Sequence, residues 1–470
     1  MSNAASDNRL PLSLALAFAA TSLPLYGLSI AISVHMPAYF AGSIGVELAV
    51  VGSAFFIARM IDVPIEPLLG WAMDRSRTRW GRYRFWTLLG APFLMGGLFL
   101  LLQADRSVGT SGLVAFLLVM YLGSSMLLLS HSAWASTLAR TYDDRARLFG
   151  VMTAVGVAGA VSVLLFPIVG EQLGLSDAEG IRSMIWFLIA LTPVAVMIVV
   201  WRTPEAVMQD APEARFRLRE YVELVFDRNM FRVILADLAL GLGPGWMAAL
   251  YLFYSRDYMG FTSGEANILL LIYIVAGIVG APSLAWLATR IGKHRAVIAA
   301  AFGYTLFLLT LIILPKGNVL AAAPTLFFTG FLAASFNVLT RAMTADVADE
   351  MRLKQGKERG GLLYALTTLT NKIAAGVGIA LTFWVLGQTG YDPKLGDGNT
   401  PEAIRSLLVV FLAGPIAFVA LGALSLLGYG LTPDRVAETR RRLDAREAAL
   451  LAGAGVDSLT GEEHAPPQRA

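Results

Sequence analysis

Three ionisable residues lie within one apolar segment near the start of the chain. Arg59, Asp62 and Glu66 fall in a run that is otherwise apolar enough to cross a bilayer. A helix would place the two carboxylates, which are four residues apart, on one face, with Arg59 one turn before Asp62. Ionisable groups kept in hydrocarbon usually bind or move something. The pattern therefore predicts a site that holds a cation or takes up a proton, the alternative being an inert ion pair that ties helices together.

The composition is that of a membrane protein. Of 470 residues, 56% are hydrophobic and only 15% are charged, too few charges to cover a soluble surface of this size. The basic residues cluster between apolar runs, which favours membrane-flanking loops over nucleic-acid binding. The sequence has no cysteine and four scattered histidines, so no metal site is expected. The sequence shows neither a paired nucleophile and base nor a phosphate-binding loop, so it does not suggest an enzyme.

Apolar runs of about 20 residues predict twelve transmembrane helices. Most Lys and Arg residues fall in the loops after the even-numbered runs, so both termini are predicted in the cytoplasm. The runs are 12–41, 46–73, 85–103, 112–139, 147–170, 182–201, 230–254, 265–289, 295–315, 320–347, 361–387 and 404–431.

One long polar interruption divides the chain. Residues 1–202 and 230–432 are predicted as two six-helix bundles, and 203–229 as a cytoplasmic linker with a surface-lying helix around 216–226. The tail, 433–470, is expected to begin as a helix and to end disordered. A weak repeat, Gly70 to Arg75 against Ala285 to Arg290, supports two related halves. Two such bundles are the plan of the major facilitator fold, in which solutes bind near the midplane.

The motif R-x-x-D-x-x-x-E-P-x-x-G from Arg59 to Gly70, followed by a basic loop ending in W-G-R-Y-R-F-W, carries a family resemblance. It resembles the glycoside–pentoside–hexuronide:cation symporters (the melibiose permease type) of the major facilitator superfamily. A second block agrees, namely A-D-V-A-D at 345–349, a glycine pair at 360–361 and Lys372. The resemblance covers the twelve predicted helices and excludes the tail.

The resemblance implies a cation-coupling site. It assigns Asp62, Glu66, Lys372 and Arg59 to that site and places Lys372 beside the two acids; the alternative is that Lys372 snorkels to the cytoplasmic surface. A cation arriving at the carboxylates would then release the lysine and couple ion occupancy to movement of the halves.

Three positions depart from the family pattern. Glu66 stands where aspartate is usual, Ile65 where a sodium-coordinating asparagine is usual, and Leu127 at a hydroxyl-bearing position. Because Na⁺ needs several oxygen ligands, the loss of two neutral ligands favours H⁺, or no coupling.

The predicted solute pocket departs further from the family. The positions of its two sugar-binding acids fall at Tyr26 and Ser130, and Trp134 alone is retained from the family's set. Arg341 would suit a carboxylate or phosphate, unless it pairs with Asp346. Ordinary helix packing is the alternative for the aromatic and histidine candidates. The substrate-binding candidates are Tyr26, Ser130, His131, Trp134, Asn337 and Arg341.

Two further features concern movement. Asp237 precedes a glycine–proline cluster at 241–245 that is predicted to bend the seventh helix; its carboxylate would cap freed amides or pair across the interface between the halves. At the cytoplasmic ends, Asp74 with Arg75, and Asp346 and Asp349 with nearby basic residues, are predicted to form gating salt bridges. Contacts with lipid headgroups are the alternative for the basic loops.

These features together predict a secondary transporter in a bacterial-type inner membrane. We expect symport of a cation, H⁺ or Na⁺, with a glycoside or a related small polar or anionic solute by alternating access. The alternative is a carrier of amphipathic, lysolipid-like molecules, because some animal relatives of the family carry lysolipids and the pocket has lost its acids. The expected partners are the solute, the coupling cation and the bilayer, without nucleic acid or another cofactor, and the resemblance implies a functional monomer.

Overall fold

The computed structural model describes residues 10–139, 141–205, 225–355 and 360–453, and within these ranges every regular element is a helix. The first, α1, consists of Leu12–Ala19 and Ser22–Ile30 and continues through the π-helical turns Ala31–His35 and Tyr39–Ile44. The next eleven helices are α2 (Leu48–Arg75), α3 (Arg82–Gln103), α4 (Thr110–Leu138), α5 (Tyr142–Gln172), α6 (Asp177–Arg202), α7 (Arg228–Phe253), α8 (Ser263–Ile291), α9 (Lys293–Thr310), α10 (Val319–Gln355), α11 (Gly360–Gly387) and α12 (Pro401–Ser425). A tail helix, α13, covers Pro433–Gly453.

Eleven of these elements are long and apolar enough to cross a membrane. The exception among the first twelve is α9, which has 18 residues and begins with a basic turn. Lys293 at its start bonds to Asp346 near the end of α10, and Thr310 at its end bonds to Thr325 near the start of α10. The two helices are therefore antiparallel and cross the same layer. The prediction of an all-helical membrane protein is confirmed.

Glycines let several of these helices touch through their backbones. A Cβ atom on Gly280 of α8 would overlap the Phe331 carbonyl of α10, and one on Gly97 of α3 would overlap the Met120 backbone of α4. Small residues at such crossings allow the close packing that drives helix association within lipid. A larger residue at either glycine would push the helices apart.

Helices α1–α6 (the N-terminal half) and α7–α12 (the C-terminal half) meet mainly along two pairs, α2 with α11 and α5 with α8. In the first pair, Gly52 of α2 lies against Ala380 and Phe383 of α11. Gly376 of α11 makes room for Arg59, since a Cβ there would come within 2.9 Å of the Arg59 Cβ. The α2–α11 contact therefore brings the ionisable turn of α2 against a helix of the other half.

The two sets of helices are also joined at the face opposite to the basic loops. His35 of α1 and Asn267 of α8 share a hydrogen bond of 2.8 Å. One turn before Asn267, the backbone N–H of Gly264 donates to the Glu171 carboxylate of α5. Glu171 thus lies at the N-terminus of α8, where the helix dipole favours a negative charge.

Parts of the predicted linker and tail lie outside the described residues. These parts are 206–224, which includes most of the predicted surface helix, and 454–470. The tail helix α13 contacts α10, where Arg440 Nε lies 3.6 Å from Asp349 Oδ2.

Candidate functional site

The two acids of α2 lie at the contact between the halves. Asp62 is 1% exposed and Glu66 is 13% exposed. Their spacing of one helical turn directs both carboxylates toward α4 and α11, as the contacts below show. Prolines 64 and 67 remove two backbone donors from the turn that carries Glu66, a departure that membrane helices tolerate inside a bundle.

Lys372 of α11 lies between these acids. Its Nζ is 2.6 Å from Asp62 Oδ2 and 2.6 Å from Glu66 Oε1. The side chain is 14% exposed, so it does not extend to a membrane surface. Because α2 and α11 belong to different halves, this ammonium group ties the halves together.

Arg59 completes the cluster on the other side of Asp62. Its Nη1 is 3.2 Å from Asp62 Oδ2, and its guanidinium stacks on the Tyr121 ring of α4 at 3.9 Å. Two cations therefore face two carboxylates, and the cluster is neutral when all four groups are ionised. Neutrality lowers the free-energy penalty of keeping these groups in the bilayer.

Ser125 of α4 also belongs to this cluster and was missed in the sequence. Its Oγ lies 3.1 Å from Asp62 Oδ1 and 3.3 Å from Glu66 Oε1, close enough to donate to either. Leu127, where the family's hydroxyl was expected, does not face the acids: it is fully buried and lies against α3, where a Cβ on Gly90 would come within 3.1 Å of Leu127 Cγ. A step of two residues along an α-helix turns the side-chain direction by about 200°, so Ser125 and Leu127 point toward nearly opposite faces of α4. No spacing in the sequence marks Ser125, because its partners Asp62 and Glu66 lie on another helix, 63 and 59 positions earlier.

Two neutral oxygen ligands for Na⁺ were expected to be missing, at Ile65 and at the family's hydroxyl position. At this site only the ligand at Ile65 is missing. Ile65 packs in a small apolar cluster with Leu69, Met73 and Met126 and brings no polar atom. The Ser125 hydroxyl supplies one neutral oxygen beside both acids.

Three of the predicted solute-binding residues lie in helix packing within the N-terminal half. Ser130 bonds to Thr87 at 2.9 Å, the His131 ring bonds to the Phe18 carbonyl at 2.8 Å, and the Trp134 indole donates to the Pro204 carbonyl at 3.2 Å. Ser130, His131 and Trp134 are at most 2% exposed. A solute could contact them only after the surrounding helices separate.

The other three solute-binding candidates are accessible. Tyr26 of α1 is 41% exposed and packs on Gly156 of α5. Asn337 and Arg341 are exposed on α10, one turn apart. The Asn337 amide donates to Asn371 Oδ1 on α11 at 2.9 Å.

Asp237 lies in the same polar network as Asn337. It accepts hydrogen bonds from Thr340 of α10 and from Thr370 and Asn371 of α11. Both expected roles for Asp237 are wrong in this structure, because its partners are side chains of its own half. The helix α7 continues through the glycine–proline cluster, and its π-helical turn comes later, at Tyr254–Tyr258.

The predicted gating residues have separate surroundings. Lys293 Nζ lies 2.7 Å from Asp346 Oδ1, so the expected alternative pair of Arg341 with Asp346 is not formed. Asp349 pairs with the tail residue Arg440. Arg75 stacks on Trp71 at 4.3 Å. The side chain of Asp74 lies outside the described part of the chain.

A cavity of about 130 Å³ lies between the two polar clusters. Arg59 and Tyr121 line it from the N-terminal half, and Gly241 and Asn371 line it from the C-terminal half. The cavity therefore touches a member of the Asp62–Glu66 cluster and a member of the Asp237 network.

Comparison with known proteins gives consistent matches along most of the chain. A family model described as MFS/sugar transport protein matches residues 17–433. The isoprimeverose transporter of Lactiplantibacillus pentosus is 24% identical, covering 89% of this chain and 89% of that protein. The glucuronide carrier protein homolog of Escherichia coli (strain K12) is 24% identical, covering 87% and 90%. The sodium-dependent lysophosphatidylcholine symporter 1-B of Danio rerio is 22% identical, covering 83% and 81%.

A solved structure has the same arrangement of helices. The crystal structure of the nucleoside transporter NupG matches with a TM-score of 0.66 at 13% identity, covering 90% of this chain and 100% of that chain. At this identity the likeness concerns the fold alone.

Proposed function

Because this chain belongs to the MFS/sugar transport protein family, and within it to the glycoside–pentoside–hexuronide:cation symporters, we propose that it couples a cation to the uptake of a glycoside or a related small polar or anionic solute. The family and the major facilitator fold predicted from the motifs are both confirmed. The chain is a multi-pass membrane transporter and not an enzyme.

The position of Lys372 between Asp62 and Glu66 is the observation that carries the proposal. A cation that enters between the two carboxylates must displace the ammonium group, because the cluster is already neutral and extra charge in hydrocarbon is unfavourable. The acids lie on α2 and the lysine on α11, so displacement removes a tie between the halves. Ion binding can then change the relative stability of two arrangements of the halves, which is the requirement for alternating access.

The coupling ion in this proposal is H⁺ or Na⁺. A proton needs only a carboxylate, which Asp62 and Glu66 supply. Sodium needs further oxygen ligands. The Ser125 hydroxyl supplies one beside both acids, whereas Ile65 supplies none.

The solute proposal is supported by the accessible residues and by the names of the relatives. Tyr26, Asn337 and Arg341 offer a phenol, an amide and a guanidinium, which suit hydroxyl groups and an acidic group. Relatives are named for isoprimeverose and for glucuronides, a neutral and an acidic glycoside.

Uptake into proteoliposomes tests the proposal. Radiolabelled isoprimeverose and phenyl glucuronide would be offered under an imposed pH gradient, an imposed Na⁺ gradient, or neither. We expect one gradient to drive accumulation, and we expect Glu66→Gln to abolish it. Glu47→Gln, the same change at an exposed position just before α2, is the matched control and should behave as the unmodified protein. Uptake that is unaffected by collapse of both gradients would contradict symport.

A lysolipid-like solute is the second candidate. It is supported by the relative named for lysophosphatidylcholine and by Tyr26 and Ser130, which stand where the family has sugar-binding acids. Labelled lysophosphatidylcholine offered to the same vesicles separates the two candidates. Accumulation of this lipid without accumulation of either glycoside would favour the second one.

We place the transporter in a bacterial-type inner membrane, with both termini in the cytoplasm and a single chain as the functional unit. The orientation rests on the basic loops that follow the even-numbered helices. Protease accessibility of the tail in right-side-out and inside-out vesicles would test it.

A further inference from the structure

Asp237 of α7 is a buried acid that the proposed coupling site does not use. It is 3% exposed and accepts from Thr340 Oγ1 at 2.6 Å, Thr370 Oγ1 at 2.5 Å and Asn371 Nδ2 at 3.0 Å. All three donors are neutral. Arg341 acts on this carboxylate electrostatically, but no salt bridge to Asp237 is formed within the described ranges.

The charge of Asp237 is therefore less well compensated than that of Asp62. Asp62 has two cations within 3.2 Å, Arg59 and Lys372, whereas the direct partners of Asp237 are hydroxyl and amide groups. A buried carboxylate in the bilayer is unfavourable unless a positive charge compensates it. Hydrogen bonds from neutral donors do not balance the charge of the Asp237 carboxylate, and a bound cation would balance it.

The threonine hydroxyls can turn their oxygen lone pairs toward a cation without losing a hydrogen bond. Thr340 Oγ1 is also 3.2 Å from the Asn337 carbonyl, and Thr370 Oγ1 is 2.8 Å from the Thr367 carbonyl. Each hydroxyl proton can rotate to that carbonyl of its own helix. The oxygen that now donates to Asp237 would then become a ligand.

The amide of Asn371 can present an oxygen in a similar way. Its Nδ2 now donates to Asp237 at 3.0 Å and to the Thr367 carbonyl at 2.8 Å, and its Oδ1 accepts from Asn337 Nδ2. A half-turn of both amides reverses the Asn371–Asn337 hydrogen bond and keeps it, because each amide carries a donor and an acceptor. The half-turn gives up the bond to the Thr367 carbonyl, and a cation bound between the oxygens would offset that loss. Asn371 Oδ1 would then point at the carboxylate.

We propose that Asp237, Thr340, Thr370 and Asn371 form a second binding site for a monovalent cation, Na⁺. The set supplies a carboxylate and three neutral oxygens from three helices, the kind of hard oxygen ligands that such cations take. One carboxylate balances one positive charge, which favours a monovalent ion over a divalent one. The cavity that reaches Asn371 gives an ion access from the space between the halves.

This site is joined to the coupling cluster through α11. Asn371 and Lys372 are consecutive residues, and they face Asp237 and Asp62 respectively. Na⁺ binding at Asp237 would fix the turn of α11 that carries Lys372. The binding step does not depend on the proposed transport function, because it can be measured without transport.

Thermal unfolding of the purified full-length protein tests the proposal. NaCl would be titrated against KCl at constant ionic strength, and the Tm would be recorded. We expect Na⁺ to raise the Tm of the unmodified protein by about 2 °C or more. Asp237→Asn, Thr340→Val and Thr370→Val should each raise the half-saturating Na⁺ concentration at least about tenfold. The two valine variants keep the test usable if the asparagine variant does not fold.

Two controls complete the experiment. Thr344→Val removes a buried hydroxyl one turn further along α10 that bonds only to its own helix, and it should keep the Na⁺ response. Glu66→Gln removes a carboxylate of the coupling cluster, so it measures how much of the Na⁺ response comes from that cluster and not from the second site. The proposal is overturned if Na⁺ does not raise the Tm, or if the valine variants at 340 and 370 respond as the unmodified protein does. A response lost in Glu66→Gln and kept in Asp237→Asn would also overturn it, while leaving the proposed symport intact.

Discussion

Lys372 Nζ lies 2.6 Å from Asp62 Oδ2, although the two residues are 310 positions apart in the chain. The contact joins the N-terminal and C-terminal halves through α2 and α11. It is a charged contact, so its strength depends on what else occupies the carboxylates.

Removing the Lys372 charge should destabilise the protein. Lys372→Met leaves Arg59 alone against two buried carboxylates, and we expect a loss of about 3 kcal/mol in the free energy of unfolding. Adding Glu66→Gln should recover more than half of this loss, because the cluster is neutral again. Chemical unfolding in detergent would measure both. Lys354→Met is the control, since its pair with Glu350 is 60% exposed on the lysine side and should contribute about 0–1 kcal/mol.

Loss of the Ser125 hydroxyl should weaken ion binding. A hydrogen bond to a charged group contributes about 1.5–3 kcal/mol, so Ser125→Ala should raise the half-saturating concentration of the driving cation about tenfold or more. Gradient-driven uptake at varied cation concentration would show this. Ser124→Ala is the matched control, because Ser124 donates to the Tyr121 carbonyl of its own helix. Equal behaviour of the two variants would remove Ser125 from the site.

Glu171→Gln should loosen the face opposite to the basic loops. The change removes the negative charge that accepts from Gly264 at the N-terminus of α8. The chain has no cysteine, so spin labels on Leu173→Cys and Lys316→Cys would report the distance between the halves at this face. We expect a larger share of long distances in the variant. Glu179→Gln is the control, since Glu179 bonds within the capping box of α6 and does not cross the interface.

Trp134→Phe should affect stability and leave solute affinity unchanged. The indole is fully buried and donates to the Pro204 carbonyl, so the smaller ring loses a hydrogen bond and some packing, about 1–2 kcal/mol together. Unfolding and the half-saturating solute concentration would be measured on the same preparation. A tenfold rise in the solute concentration at unchanged stability would instead place Trp134 in the pocket.

The helices and the acid pair could be predicted from the sequence because each depends on local spacing. A run of about 20 apolar residues is long enough to cross a bilayer, and residues four apart share a helix face. Asp62 and Glu66 therefore lie together as their spacing requires. The meeting of Lys372 with them depends on tertiary contact, and only the family resemblance pointed to it.

The orientation of α4 could not be predicted in the same way. Lipid-facing and protein-facing sides of a membrane helix are both apolar, so hydrophobic periodicity does not reveal which side faces a cavity. Ser125 faces the acids, whereas Ser130 and Trp134, on the same helix, are buried in packing. Leu127, where the family's hydroxyl was expected, is two residues after Ser125 and therefore lies on another face of α4. The partners of Asp237 were hidden for a different reason, since they come from two other helices more than 100 positions away.

Because Asn371 and Lys372 are consecutive, one turn of α11 contacts both Asp237 and Asp62. Consecutive helical positions differ by about 100° in direction, so a turn of α11 about its axis moves both side chains together. A rotation that draws the lysine away from Asp62 must also swing the asparagine relative to Asp237. When α11 rotates, the Asp62–Lys372 distance and the Asp237–Asn371 distance therefore change together. Ion binding at one acid that rotates α11 therefore also changes the distance between the other acid and its partner on α11.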